Sequence, residues 1–191
     1  MLFRSTTSIG IGSAYGQSVA VQADGKILVG GYAAGLDGDE YALARYNSDG
    51  TLDTSFSGDG IVTTSFGIGD AYGRNLTLQA DGKILVTGYF FNGSANLLSL
   101  ARYNANGSLD TSFSGDGLLT TSFGGVDNYG SDVAVQSDGA IVVVGGSSAG
   151  GTLDFAVVRY DSSGNLDTTF SGDGLLKIGR ASCRERVFRA V

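Results

Sequence analysis

Residues 45–60 read RYNSDGTLDTSFSGDG, and the same pattern returns at residues 102–117 and 159–174. The copies begin at Arg45, Arg102 and Arg159, so they follow one another at a period of 57 residues with no insertion or deletion. Eleven of the sixteen positions carry the same residue in all three copies. A long period kept without slippage indicates structural units that pack in series.

Each copy contains four short apolar segments that predict β-strands. In the first copy they cover residues 18–22, 27–31, 41–46 and 61–66, and the third copy is cut at Leu176 within its last strand. The first segment alternates apolar and polar residues, which is typical of a half-buried strand, and the second is continuously apolar, as in a strand covered on both faces. No segment shows a helical period.

The prediction is therefore an all-β fold of three tandem four-stranded repeats of 57 residues, an open fragment of a β-propeller. A β-solenoid is the alternative, although its coils are usually much shorter. An Asp-Gly pair separates the first two strands of every copy, at residues 24–25, 81–82 and 138–139. This pair predicts a hairpin whose primed turn has positive φ at both central residues.

These motifs together resemble a known family. The order AVQxDGKILVxG, ARYNxDGxLDTSFSGDG and VTTSFG is similar to the delta-60 repeat, a bacterial tandem repeat of unknown function with a propeller-type fold. The resemblance covers residues 6–176, with Ala23, Ala80 and Ser137 where the family commonly has proline. It implies a larger parent protein, secreted or attached to the cell surface, and it implies no reaction.

The two ends of the chain do not follow the repeat. MLFRS at residues 1–5 and IGRASCRERV at residues 178–187 match translations of common sequencing adapters, and Lys177 replaces the threonine expected from the period. We interpret residues 1–5 as adapter-derived, residues 6–176 as three propeller-type repeats, and residues 177–191 as adapter-derived or an unstructured tail. A natural basic tail is the alternative.

Composition restricts the function of residues 6–176. This segment keeps six basic and 18 acidic residues, a formal net charge of −12 against −7 for the whole chain. The negative charge argues against nucleic acid or an anionic membrane as partner. The segment has no histidine and no cysteine, since the single Cys183 lies beyond it. No nucleophile–base set can be assembled, so we expect no enzyme activity and no cofactor.

Three residue types recur in every copy and form the candidate structural set. They are Arg45, Arg102 and Arg159; Asp53, Asp110 and Asp167; and Tyr46, Tyr103 and Tyr160. We expect each arginine to pair with a recurring aspartate or with backbone carbonyls, within or between blades. We expect the tyrosines to be blade-packing residues, with a ligand platform as the alternative. A catalytic residue is usually unique in a chain, so recurrence favours a structural role.

The turn Asn47-x-Asp49-x-Thr51-x-Asp53 places oxygen-bearing side chains at alternate positions, as calcium loops do. It lacks glycine at the sixth position and glutamate at the twelfth, where Leu52 and Gly58 stand. We therefore expect a turn that is held by local hydrogen bonds and contains no metal.

The function that these observations favour is a non-catalytic structural or binding module of a bacterial extracellular or cell-surface repeat protein. Variable loops would present a binding surface to an unidentified glycan or protein. The alternative is a fragment of a propeller enzyme whose active site lies in further blades. Three blades cannot close a ring, so we also expect self-association through the open terminal blades.

Overall fold

The computed structural model of the chain describes residues 6–149 and 151–179. Within this part the chain forms twelve strands and no helix. The strands make three antiparallel sheets of four, and neighbours in each sheet follow one another in the chain. We call these sheets blades 1, 2 and 3. The predicted all-β fold of three four-stranded repeats is confirmed.

The strands recur at equivalent places in the three blades. Blade 1 contains β1 (Ala14–Val21), β2 (Ile27–Ala34), β3 (Asp39–Tyr46) and β4 (Ile61–Thr64). Blade 2 contains β5 (Asp70–Leu78), β6 (Ile84–Phe91), β7 (Asn96–Tyr103) and β8 (Leu118–Thr121). Blade 3 contains β9 (Asn128–Val135), β10 (Ile141–Ser147), β11 (Asp154–Tyr160) and β12 (Leu175–Ile178).

The first strand of each blade is longer than predicted and contains a β-bulge. In blade 1, Gly16 pairs with Gly31 and Ser18 pairs with Gly30, so Gln17 is left as the extra residue. The same shift leaves Arg74 unpaired in blade 2 and Ser131 unpaired in blade 3. A bulge turns the side chain of the extra residue away from the regular alternation of the strand.

The Asp-Gly hairpins correct one expectation. Gly25 has a φ of 84°, as a primed turn requires, but Asp24 does not have a positive φ. Among the described residues other than glycine, only three serines have one. The Gly25 N–H donates to Gln22 O and the Gln22 N–H donates to Lys26 O. This is a three-residue loop with one left-handed residue, not a primed turn. Asp24 instead accepts the Lys26 N–H at 3.1 Å.

Two hydrophobic cores lie between neighbouring blades, one joining blades 1 and 2 and the other joining blades 2 and 3. Phe113 of blade 2 is fully buried. Its ring lies against Gly164 in a turn of blade 3, where an added Cβ would come within 2.8 Å of the ring. Gly164 also has a φ of 92°, so glycine is required there for both reasons.

Within residues 6–149 and 151–179 the blades do not close into a ring, and no described blade covers the outer faces of blades 1 and 3. Val19 of β1 is 64% exposed, while its equivalents Leu76 and Val133 are 5% exposed. Phe155 of β11 is 74% exposed, while its equivalent Leu98 is fully buried. Each exposed side chain occupies a position that a neighbouring blade covers elsewhere in the molecule.

The predicted end of the repeats, after residue 176, falls inside β12 (Leu175–Ile178). Lys177 pairs with Ala156 and Ile178 with Phe155, so these two residues continue β12 and do not form an unstructured tail. Strand pairing uses the backbone, which any residue except proline can supply. Residues 1–5 and 180–191 lie outside the described residues, and their adapter origin stays a prediction. No described helix has the length and hydropathy needed to cross a membrane.

Candidate functional site

The recurring arginines and aspartates form one cluster in each blade. The Nε atom of each arginine donates to the Oδ2 atom of the aspartate eight residues later in the chain. The pairs are Arg45–Asp53 at 2.7 Å, Arg102–Asp110 at 2.8 Å and Arg159–Asp167 at 2.7 Å. The arginine also stacks on the phenylalanine three residues after the aspartate, at 4.4 Å from guanidinium to ring centre for Arg102 and Phe113.

Two of these clusters also connect neighbouring blades. Arg45 Nη1 donates to the carbonyl of Ala105 in blade 2 at 2.6 Å, and Arg102 Nη1 donates to the carbonyl of Ser162 in blade 3 at 2.5 Å. The structure thus places these arginines both within a blade and across a blade interface. Arg159, on the open face of blade 3, donates side-chain hydrogen bonds only within its own blade among the described residues.

The aspartates of these clusters are held ionised. Hydrogen bonds from Lys26 and then from Ser55 hold the pKa of Asp53 well below its usual range. Burial opposes ionisation of Asp110, but hydrogen bonds from Ser112 and the charge of Arg102 outweigh it and lower the pKa. A carboxylate that stays ionised and accepts several hydrogen bonds suits a structural anchor better than a general acid.

The recurring tyrosines reach across the interfaces to the preceding blade. Tyr103 donates to Thr64 Oγ1 at 2.8 Å, and the hydroxyls of Tyr160 and Thr121 lie 2.6 Å apart. Burial raises the pKa of both Tyr103 and Tyr160. Tyr46 belongs to the first blade, and it donates to Thr7 near the start of the chain at 2.9 Å.

A second set of tyrosines forms a continuous aromatic surface that sequence reasoning did not identify. Ring centres lie 5.1 Å apart for Tyr15 and Tyr32, 4.8 Å for Tyr32 and Tyr72, and 4.8 Å for Tyr72 and Tyr89. The Arg74 guanidinium lies 5.0 Å from the ring centre of Tyr89 and 5.1 Å from that of Tyr129. We call these five tyrosines and Arg74 the tyrosine–arginine face.

The three bulge residues meet at this face. A cleft of about 520 Å³ is lined by Gln17, Tyr32, Tyr72, Arg74, Tyr89 and Ser131. Arg74 also borders a neighbouring cleft of about 380 Å³, whose polar lining includes Asn96, Asp127 and Ser148. The bulge position therefore brings one glutamine, one arginine and one serine from three blades to a shared concave surface.

Comparison with known families identifies the scaffold. A family described as "Domain of unknown function (DUF5122) beta-propeller" matches the chain at residues 22–56, 79–113 and 136–170. The chain belongs to this family. The predicted resemblance to propeller repeats of unknown function is confirmed. No curated protein matches the chain.

The DUF5122 matches also separate the scaffold from the tyrosine–arginine face. Each match begins after the first strand of a blade and ends at the phenylalanine of the arginine cluster. The matches therefore include the arginine–aspartate pairs but leave out β1, β5 and β9, which carry the bulge residues. The candidate site lies partly on the segments that this family does not define.

The face offers aromatic surfaces and one cation to a ligand. Arg74 is exposed, and no described residue forms an ion pair with it. Tyrosine rings flank its guanidinium, so its N–H groups remain available for a planar anion. Burial and then the hydrogen bond with the neighbouring Asp39 raise the pKa of Tyr72 to about 12.

The sequence did contain a signal for this site. Tyrosine recurs before glycine at residues 15, 72 and 129, and it recurs after glycine at residues 32 and 89, where the third copy has Gly146. Within each Tyr-Gly segment, the following residue is different in every copy. A position that varies inside an otherwise regular repeat is a candidate for specificity.

Two of the side chains that a calcium ion would need at residues 47–53, Asp49 and Asp53, already have hydrogen-bond or ion-pair partners within the protein. Asp49 Oδ1 accepts the backbone N–H of Thr51 at 3.0 Å and its hydroxyl at 2.6 Å, and Asp53 pairs with Arg45 and Lys26. Across residues 6–149 and 151–179, no three histidine, cysteine or acidic side chains are grouped as a metal site would require.

We therefore expect calcium to leave this protein unchanged. Addition of millimolar calcium should shift the melting temperature by about 1 °C or less, because the described residues form no site for the ion. Calcium that did bind, at a hundred times its dissociation constant, would stabilise the fold by about 2.7 kcal/mol. Differential scanning fluorimetry with calcium, with magnesium and with chelator measures this. A saturable rise of several degrees with calcium alone would contradict it.

Proposed function

We propose that this chain is a non-catalytic glycan-binding module and that its ligand is an acidic glycan held on the tyrosine–arginine face. The observation that carries the proposal is the position of Arg74, which stands on a β-bulge between two tyrosine rings without an ion-pair partner among the described residues. We place the parent protein outside the cell or on its surface, in line with the bacterial repeats it resembles.

The chemistry of the face supports a sugar ligand. Tyrosines combine a flat apolar ring with a hydroxyl that donates and accepts hydrogen bonds, and they lose little conformational entropy on binding. A sugar ring likewise presents apolar C–H groups on its faces and hydroxyls around its edge. The overlapping tyrosines from blades 1 and 2 would hold consecutive sugar units along the face.

Arg74 supports an acidic sugar over a neutral one. Its planar guanidinium can form two parallel hydrogen bonds to a carboxylate, which are about twice as strong as bonds between neutral groups. The chain carries a net charge of −7, so an exposed arginine on this surface is a local exception that favours one anionic group at a defined place. A uronic acid residue supplies both the ring and the carboxylate.

A non-catalytic role is supported by the side chains that the chain offers. It contains no histidine, and the recurring aspartates are engaged by arginine, lysine and hydroxyl groups. The face itself brings together tyrosines, one arginine, a glutamine and a serine. These groups bind and orient a ligand. The carboxylates nearest to them, Asp39 and Asp127, are hydrogen-bonded to Tyr72 and Asn96 and, among the described residues, are not paired with a serine, threonine or cysteine nucleophile.

The binding test uses oligogalacturonides and the same oligosaccharides after reduction of their carboxyl groups. Isothermal titration calorimetry should show binding of the acidic form, and Arg74→Gln should weaken it at least about tenfold, since a hydrogen bond to a charged group contributes roughly 1.5–3 kcal/mol. The reduced form should bind weakly to both proteins. The matched control is Lys83→Gln, which removes a positive charge outside the face and should leave the affinity unchanged.

Two outcomes would overturn the proposal directly, and a third would remove the specific role of Arg74. One is the absence of binding to acidic oligosaccharides at millimolar concentration while circular dichroism shows a folded protein. The other is equal binding by Arg74→Gln and the unaltered chain, which would place any glycan site elsewhere. An equal loss with Lys83→Gln would mean that only overall charge attracts the ligand.

A further inference from the structure

We propose that the two open blade faces bind each other between two copies of this chain, head to tail, and that two copies close a six-bladed ring. This inference concerns copies of this 191-residue chain, whatever further blades a longer parent protein supplies, and it is independent of the tyrosine–arginine face. It rests on the internal interfaces, which show how the outer face of blade 3 and the outer face of blade 1 would fit together.

The first observation is a phenylalanine that packs on a turn glycine of the next blade. At the two internal interfaces the pairs are Phe56 with Gly107 and Phe113 with Gly164. The equivalent phenylalanine of blade 3 is Phe170, which is only partly buried. The equivalent glycine of blade 1 is Gly50, and no atom lies within 4 Å of the place where its Cβ would stand. The two open faces thus carry the two halves of the same contact.

The second observation is a pair of hydrogen bonds that recurs at both internal interfaces. Their donors are also present on the open face of blade 3, and their acceptors are present on the open face of blade 1. At each internal interface an arginine Nη1 and a serine N–H donate to carbonyls of the next blade, as Arg102 and Ser114 do to Ser162 and Ser163. The donors on blade 3 are Arg159 and Ser171. The acceptors on blade 1 are the carbonyls of Ser48 and Asp49, one period before those that Arg45 and Ser57 contact.

The third observation is apolar area. Phe155 is 74% exposed on blade 3, whereas its equivalents Tyr41 and Leu98 are fully buried against the next blade. Val19 and Val21 are more than 60% exposed on blade 1, whereas Leu76, equivalent to Val19, is buried against the preceding blade. Removal of such side chains from water is the main favourable contribution to most protein–protein contacts. The head-to-tail contact covers both patches at once.

The position beside the Tyr46 hydroxyl would be occupied by two residues in a closed ring. Thr7 occupies the place on blade 1 that Thr64 has beside Tyr103, since its hydroxyl accepts from Tyr46. In a closed ring, Ile178 of the second copy would come to the same place. Ile178 has no hydroxyl to accept the hydrogen bond of Tyr46, and it lies at the end of β12. We therefore expect Thr7 to keep its place and the end of β12 to separate from β11, with loss of the pairing of Ile178 and at most that of Lys177.

Repeated head-to-tail contacts form a closed ring only if the rotation from each blade to the next brings the last blade back to the first. Closed propellers have about four to eight blades, and two copies of three blades give six. Each copy carries a net charge of −7, so repulsion opposes the contact at low salt. Salt screens that repulsion, with a Debye length of about 8 Å at physiological ionic strength. Association should therefore strengthen as salt rises.

The test measures the mass of the full chain by size exclusion with light scattering. We expect twice the chain mass of 19.5 kDa at 150 mM salt, and more dissociation at 20 mM. Phe155→Asp and Val19→Asp should each abolish the dimer, because every closed ring needs both faces. Ile68→Asp is the control, since Ile68 is an exposed apolar residue outside both patches.

A mixture of the two variants distinguishes head-to-tail from face-to-face contact. The Phe155→Asp chain keeps an intact blade 1 face, and the Val19→Asp chain keeps an intact blade 3 face. Mixed together, they should form a heterodimer through one unaltered interface, although neither associates alone. Two identical faces in contact would give no such rescue.

Three results would overturn the proposal. They are a monomer at every salt and protein concentration, a dimer that persists in Phe155→Asp, and an open series of oligomers without a closed species. Circular dichroism of each variant checks that its fold is kept. Both altered side chains are largely exposed, so their replacement leaves the internal cores untouched.

Discussion

Replacement of Phe113 by alanine should lower the free energy of unfolding by about 3–5 kcal/mol. The ring is fully buried, it lies against Gly164 of the next blade, and it supports the guanidinium of Arg102. Truncation would leave a cavity at the interface of blades 2 and 3 that the rigid turn around Gly164 cannot fill. Urea and thermal unfolding followed by circular dichroism measure the loss.

Phe170 gives the matched control. It stands at the same repeat position in blade 3, but no further blade covers it and it is only partly buried. Phe170→Ala should therefore cost less than half as much. Both variants are best compared in the Phe155→Asp background, where no dimer can cover Phe170. Equal losses would mean that packing within the blade, and not across the interface, determines the effect.

Replacement of Arg102 by methionine should cost about 3 kcal/mol, because it leaves the Asp110 carboxylate buried without its main partner. The side chains of Arg102 and Asp110 are 6% and 8% exposed. Lys83 lies 3.6 Å from the same carboxylate and compensates in part. The carbonyl of Ser162 in blade 3 also loses its donor. A loss of this size lowers the melting temperature of a domain this long by roughly 6–12 °C.

Arg159→Met is the control for this second prediction. The side chains of Arg159 and Asp167 are 25% and 19% exposed, and water can replace the lost partner. In the Phe155→Asp background, where no second copy can cover Arg159, the melting temperature should fall far less with Arg159→Met than with Arg102→Met. If the two variants lose the same stability, the contact across the interface contributes nothing, and the arginines act only within their own blades.

Much of the fold could be predicted from the sequence because the period removes ambiguity. Three aligned copies show which positions must be apolar, and an alternation seen three times is a stronger indication of a strand than one seen once. The hairpin turns were less predictable. Asp-Gly fits both a primed turn and a three-residue loop, and the choice depends on how Gln22 and Lys26 pair across the hairpin.

The candidate site could not be predicted in the same way. Arg74 reaches the tyrosine–arginine face because it is the extra residue of a bulge, and a bulge is defined by the register of two strands, not by a local pattern. Tyr15 and Tyr32, or Tyr72 and Tyr89, come together only through strand pairing. The arginine–aspartate pairs lie eight residues apart. Local sequence predicted that each arginine is paired but left open whether the partner is an aspartate or a backbone carbonyl, and Arg45 has both.

The unbroken period has a consequence for the history of the gene. The arginine, phenylalanine and tyrosine–threonine contacts recur at both internal interfaces, so the blades share these contacts at their boundaries. Unequal recombination that removes or adds 57 codons therefore leaves every remaining interface in register. The number of blades can then change without a compensating substitution in the recurring contacts, and each unit gained or lost takes its own bulge residue with it.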